Sequence, residues 1–387
     1  MTNQIVTINV SQNVGATPST LQRTGALISM GGTTKTASSL TLVTGMPDVT
    51  AILAPASSAT DELSDMATTF FSQGSSIGVY ILELGTGTPA AAIGLLTTWL
   101  NNNPQHVYAF LVPRSWDNDP AFLTLIAQYE STTAMTYFWV TTTQANYTHY
   151  LPTMKDVVAW LEAPSGLFAT EFSAAAGFWI TLHYKPSSTN KVTPFCFSYV
   201  SGVTPYPVVG TAPLRSQLKD HGVNIISTGS EGGITNDMLI WGSNMDVRPF
   251  NYWYSVDWCQ INLKLQLANC IINGSNNPIN PLYLNQDGIN RLEAVAAKVM
   301  NSAVTFGLAL GTVIQLELDG PDLADYFDSG AGAGQIVINA VPFVAYYTAN
   351  PGDYKIGVYD GLSVTYTPLR GFDNITVNLN VSDFVTA

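Results

Sequence analysis

The sequence predicts a mixed α/β (α+β) protein. It should hold an α/β domain with a largely parallel sheet, a C-terminal core domain with two long helices, and an extended β arm at each end. Three observations predict this. Between residues 25 and 150, apolar runs of strand length alternate with amphipathic stretches of helix length. Beyond residue 250, two long stretches keep a helical apolar period. The two ends, "QIVTINV" and "ITVNLNV", put an apolar residue at every second position, the period of a strand.

In the first arm (1–20), Val6, Ile8 and Val10 share one face and Thr7 and Asn9 the other. The polar turn-former "SQNVGATPST" separates it from "GALISM", so it reads as an arm rather than as the first strand of a core sheet. The α/β domain (21–150) then reads in order. "ATDELSDMATTFFSQG" is a helix ended by Gly74, "IGVYILEL" a buried strand, and "TPAAAIGLLTTWLNNN" a helix. "HVYAFLV" is a strand, "DPAFLTLIAQYES" a helix and "MTYFWVTT" a strand. Short spacing between them favours right-handed crossovers. Thr88 before Pro89 and Asp119 before Pro120 supply a capping side chain followed by a first-turn proline.

A connecting or inserted segment (151–210) follows, in which "KDVVAWLEA" suits strand or helix and "TEFSAAAGFWITLHY" a helix. The C-terminal core domain (211–370) opens with a short helix "APLRSQLKDHG", a strand "VNIIST", a turn "GSEGG" and a strand pair across "MLIWGSNMDVRPFNYW". Its long helices span 253–272 and 286–306. The first carries apolar residues on most of its circumference, with Asp257 in its first turn, where the helix dipole favours an anion. The second shows a stripe of Ile289, Leu292, Ala296, Val299, Ala303 and Phe306. Residues 320–334 read as a loop, and "QIVINAVPFVAYYT" with "YKIGVYDGLSVTYTP" as a β pair. In the C-terminal arm (371–387), Ile375, Val377, Leu379 and Val381 face one way.

Composition narrows the function. With 46% hydrophobic and only 11% charged residues, the chain has ample core and a weakly charged polar surface, as on proteins covered by copies of themselves. A net charge of −13 repels nucleic acid and anionic membranes, and the prolines of the charge-free stretch 192–214 break any membrane-crossing helix there. The start lacks a secretory pattern, so production in cytoplasm is expected. Cys196, Cys259 and Cys270 form no paired framework.

Motifs for chemistry are weak. "GTGTPA" (Gly85 to Ala90) sits where a dinucleotide fingerprint would, but the next strand ends without the acidic residue that holds a ribose. A helix cap explains the same letters. "GGTTKT" (Gly31 to Thr36) lacks the glycine before the lysine of a phosphate loop. His106, His149, His183 and His221 are scattered, and Asp322, Asp325 and Asp328 are too few for a cation site. Nothing pairs Glu83 with Glu162 as acid and base. No catalytic residue, cofactor or metal is expected.

The stretch "LKDHGVNIISTGSEGGITNDMLIWG", followed by "YWYSVDWCQINLKLQLANCIINGSNNPINPLYLNQDGINRLEAVAAKVMNSAVTFGLALG", resembles the C-terminal core of contractile-tail sheath proteins of bacteriophages. The likeness covers about 215 to 311; the proline-containing loop is longer than is usual in the family. The resemblance implies a non-enzymatic structural protein that stacks as hexameric rings into a helical sheath around a tail tube. It implies contact with baseplate and with tail terminator or neck proteins, and a place in the virion tail after assembly in the host cytoplasm. It also implies inter-subunit arms, here Val6, Ile8, Val10, Ile375, Val377, Leu379 and Val381, added as strands to neighbouring subunits. One arm holds weakly; many, at high effective concentration, hold strongly. The alternatives are an NAD(P)-binding α/β enzyme built on Gly85 to Ala90, which should bind nucleotide, and another self-assembling virion protein such as a tube subunit.

Overall fold

The computed structural model describes residues 20–74, 77–131, 133–164, 170–229, 234–375 and 377. A six-stranded sheet organises the first half. Its strands are β1 (Gly25–Ser29), β2 (Ser39–Val43), β3 (Val79–Glu83), β4 (Ala109–Leu111), β5 (Tyr137–Thr142) and β6 (Val157–Leu161), in the order β2-β3-β1-β4-β5-β6. All neighbours are parallel except the edge strand β2, which runs antiparallel to β3. The ambiguous "KDVVAWLEA" is therefore a strand, completing the sheet.

Both faces of this sheet are covered, which is why its strands read as near-continuous apolar runs. Leu27, Tyr137, Trp139, Val158 and Trp160 point to one face, against α2 (Ser58–Phe71), reached through the short α1 (Met46–Thr50). Ala26, Ile28, Phe138, Val140, Val157 and Ala159 point to the other, with residues of α3 (Pro89–Asn102) and α4 (Pro120–Ile126). The expected caps are in place: Thr88 accepts from the Ala91 N–H, and Asp119 from those of Ala121 and Phe122. α5 (Ser173–His183) joins α2 on the first face. There the indoles of Trp139 and Trp160 stack 5.7 Å apart, and Gly177 is needed because a Cβ would strike both.

The second half builds on the same core. After α6 (Ala212–Asp220), β7 (Ile225–Ser227) and β8 (Met238–Ile240) form an antiparallel pair. A bridge from Asn224 to Trp160 sets this pair beside β6. The long helix α7 spans Phe250–Ser275 and α8 spans Gln286–Thr305. On α7, Phe250, Trp253, Tyr254, Cys259 and Ile261 are buried, whereas its C-terminal half is only partly covered and Ile272 is 40% exposed. The expected all-round burial thus holds for the first three turns alone. On α8, Ile289, Ala296, Val299, Met300 and Ala303 are buried, following the predicted stripe, with Leu292 and Phe306 at its margins.

Then come β9 (Ala309–Leu310), β10 (Thr312–Leu316), α9 (Gly320–Asp328) and β11 (Gln335–Ala340), followed by α10 (Phe343–Ala349), α11 (Pro351–Ile356), β12 (Leu362–Thr365) and β13 (Thr367–Pro368). Two expectations are corrected here. The loop 320–334 contains a helix, started by the Asp319 carboxylate, which accepts the Asp322 N–H, and by Pro321. The β pair exists, as β11 against β12, but two short helices stand between its strands. Pro342 and Pro351 open those helices.

Candidate assembly interface

The C-terminal sheet has the order β10-β11-β12, with β10 parallel and β12 antiparallel to β11. Ile336 and Ile338 of the central strand enter the shared core. Asn339 clamps the chain beyond β10, accepting the Leu318 N–H at 2.9 Å and donating to the Leu318 carbonyl at 2.9 Å. Among the described residues, neither β10 nor β12 pairs with a further strand on its outer side. β12 alternates, with Ser363 and Thr365 exposed and Leu362 and Val364 half-buried, whereas on β10 Thr312 and Gln315 are exposed and Val313, Ile314 and Leu316 half-buried. An open edge of this kind presents unpaired N–H and C=O groups to an added strand. The strand β10 adds to the elements expected from sequence, and its local signal is Ile314, Leu316 and Leu318 at every second position after Gly311.

Val344 of α10, Ile356 of α11 and, beyond β13, Phe372, Ile375 and Val377 are each more than 70% exposed, and Phe372 and Ile375 line an open cavity with Ile234, Ile240 and Trp241. Tyr346 ties α10 to α11 and to the turn before β12: its hydroxyl lies 2.8 Å from Asp353 and 2.5 Å from Asp360. Burial raises the pKa of that phenol. Among the described residues, the last backbone anchors are Pro368 paired with Ala309, the Leu369 N–H donated to Leu308, and the Leu369 carbonyl accepting from Asn251. Beyond them Ile375 and Val377 are 75% and 76% exposed and lie outside any strand of this chain. Val6, Ile8, Val10, Leu379 and Val381 fall outside the described residues.

A buried polar joint welds the long helix to the first sheet. Asp257 of α7 is wholly buried and its Oδ2 accepts from the hydroxyls of Tyr108 and Tyr137, each at 2.8 Å. The helix begins at Phe250, so Asp257 lies two turns in rather than in the first turn. Burial pushes its pKa up to about 6, against the opposing pull of Lys155 and the two phenols. Lys155 donates to the Ala134 carbonyl at 2.7 Å and lies 4.6 Å above the Trp253 ring. Gln22 donates to the Tyr254 carbonyl at 2.8 Å across the same joint.

The two glycine motifs serve the fold. Gly85 and the Gly31–Thr33 turn both donate backbone N–H groups to the carboxylate of Glu83, so the would-be phosphate turn already surrounds a side chain of its own. Glu162 pairs with Arg114 at 2.9 Å, apart from Glu83, and Arg114 also binds the Glu171 carbonyl. Among the described residues, no three His, Cys, Asp or Glu side chains come together in a way that could hold a metal ion, and no helix is long and apolar enough to cross a membrane.

This architecture is the fold of contractile-tail sheath proteins. The chain matches one from the helical sheath of the anti-feeding prophage in its contracted state over 98% of its own length and 99% of the other, with TM-score 0.56 and 12% identity. A chain of the six-fold symmetrised baseplate of the same prophage matches over 97% and 99%, with TM-score 0.58 and 13% identity. A sheath tail protein from Listeria innocua matches over 91% and 97%, with TM-score 0.52 and 8% identity. No protein-family model and no curated protein matches the sequence.

Proposed function

We propose that this chain is the sheath subunit of a contractile tail or injection system. The observation that carries the reading is the correspondence of fold over nearly the full length of both chains with a contracted helical sheath. Subunits polymerise as stacked hexameric rings around a tail tube, anchored to a baseplate and ended by terminator or neck proteins. Contraction shortens and widens the sheath and drives the tube through the host envelope, as in the genome ejection of a phage virion. The extended form is then metastable and held by a kinetic barrier.

Within this scheme the arms Val6, Ile8 and Val10 and Ile375, Val377, Leu379 and Val381 add as strands to neighbours, and the open edges of β10 and β12 are their receptors. The exposure of Ile375 and Val377, beyond the last backbone anchor among the described residues, supports this role for the C-terminal arm. Burial between rigid bodies changes on contraction while the strand joints keep the lattice connected. Electron microscopy of the purified protein tests the proposal. Hollow cylinders of contracted width are expected; discrete globular particles at every concentration would refute it.

A further inference from the structure

Glu83 ends β3, directly opposite Ser29 at the end of β1, and is 1% exposed. Its Oε1 accepts the N–H groups of Gly31 and Gly85, both at 2.7 Å. Its Oε2 accepts the Ser29 hydroxyl at 2.7 Å, the Thr33 hydroxyl at 2.7 Å and the Thr33 N–H at 3.1 Å. Five donors therefore converge on one buried carboxylate, and no lysine or arginine takes part. The two hydroxyls are themselves held, Ser29 accepting from the Gly32 N–H at 3.0 Å and Thr33 from the Lys35 N–H at 3.2 Å. Gly31 and Gly85 have positive φ values of 87° and 77°, and a Cβ on Gly31 would strike Thr86. This is a nest of backbone and hydroxyl dipoles built for an anion. It lies at the carboxyl ends of parallel strands, beside β1, where the connections turn to opposite sides of the sheet and open α/β sheets bind their ligands.

We infer that the Ser29–Thr33 turn and Gly85 form a built carboxylate-binding site whose resident ligand is the chain's own Glu83. The side chain keeps free phosphate or nucleotide out, because a second anion would meet both its bulk and its charge. Truncation to alanine then converts a tethered ligand into a vacancy of defined shape. Glu83→Ala removes Cγ and the carboxylate. A free acid seated on the five donors is not bonded to Cβ, so its next atom must clear that carbon by a van der Waals contact of about 3.5–4 Å instead of a covalent bond. Formate, which carries only hydrogen there, fits best, and acetate and then propionate are increasingly crowded, so the order of binding should be formate, then acetate, then propionate. The inference does not depend on the assembly reading.

The test is thermal unfolding of wild type, Glu83→Ala and Glu83→Gln in sodium acetate, formate or propionate, each matched to sodium chloride of equal concentration. Five buried donors lose their acceptor in Glu83→Ala, so its melting temperature should fall by several degrees. Formate should restore much of that fall along a saturating curve, as a ligand of the folded state does. Wild type and Glu83→Gln, whose side chains still fill the space, should show no formate-specific shift. If Glu83→Ala does not stay folded, the yield of folded protein after dilution from urea is read instead, with formate against chloride. A formate-specific gain supports the inference. A Glu83→Ala melt equal to wild type, a formate shift common to all three proteins, or refolding indifferent to formate would overturn it.

Discussion

Replacing Asp156 with asparagine should stabilise the protein above neutral pH while changing little in acid. Asp156 stands one residue before β6, is fully buried, and no well-formed hydrogen bond reaches either carboxylate oxygen. Burial raises its pKa from 3.8 to about 7; its own backbone N–H and Lys155 oppose the shift, and Glu130 and Asp246 add to it. Between those two values the unfolded carboxyl is ionised and the folded one keeps its proton. Raising the pH therefore favours unfolding. The contribution to stability is complete below the unfolded pKa and lost as pH rises through the folded one. About three pH units at ~1.4 kcal/mol each give a loss on the order of 4 kcal/mol. That figure bounds the gain from Asp156→Asn at about pH 8, since the asparagine amide is buried too. Urea unfolding followed by tryptophan fluorescence, at about pH 4, 6 and 8, measures the difference between the two proteins and so isolates this residue. A difference that does not change over that range, or that turns against the variant as pH rises, would refute the reasoning.

Two further outcomes are expected. Deleting residues 374–387 should leave a folded, soluble subunit that no longer polymerises, because the backbone anchors at Pro368 and Leu369 lie upstream of the cut. Thermal melts and electron microscopy check this, and an unfolded product would place the strand in its parent's core. Tyr108→Phe with Tyr137→Phe removes both donors to Asp257, so its already raised pKa should climb further. The double variant should lose about 1.5–3 kcal/mol per bond at about pH 8 and much less at about pH 4. An equal loss at both would mean that the hydroxyls act through packing alone.

Local pattern carried much of the fold. The strands β3 to β5, the helices α2 to α4 and both long helices follow from apolar period and from capping residues such as Thr88 and Asp119, all set by neighbours within a few residues. Short apolar runs were less legible. Phe343–Ala349 and Pro351–Ile356 satisfy strand and helix alike, and only their docking decides between the two. The helix Gly320–Asp328 carried its start signal at Asp319 and Pro321, hidden by the glycine-rich tail that follows. β2 alternates Ser39 and Thr41 with Leu40 and Leu42, but over five residues at a sheet edge, where only Val43 is buried.

Spacing along the chain says nothing about which side chains meet across it. Asp257 reaches Tyr108 over 149 residues and Glu83 reaches Ser29 over 54, so the buried joint and the occupied carboxylate site exist only once the sheet has brought those segments together. Open edges are of the same kind. A strand declares its period locally, but whether β10 and β12 are left unpaired depends on where every other strand has gone. Periodicity is a property of a segment, whereas partnership is a property of the packed whole.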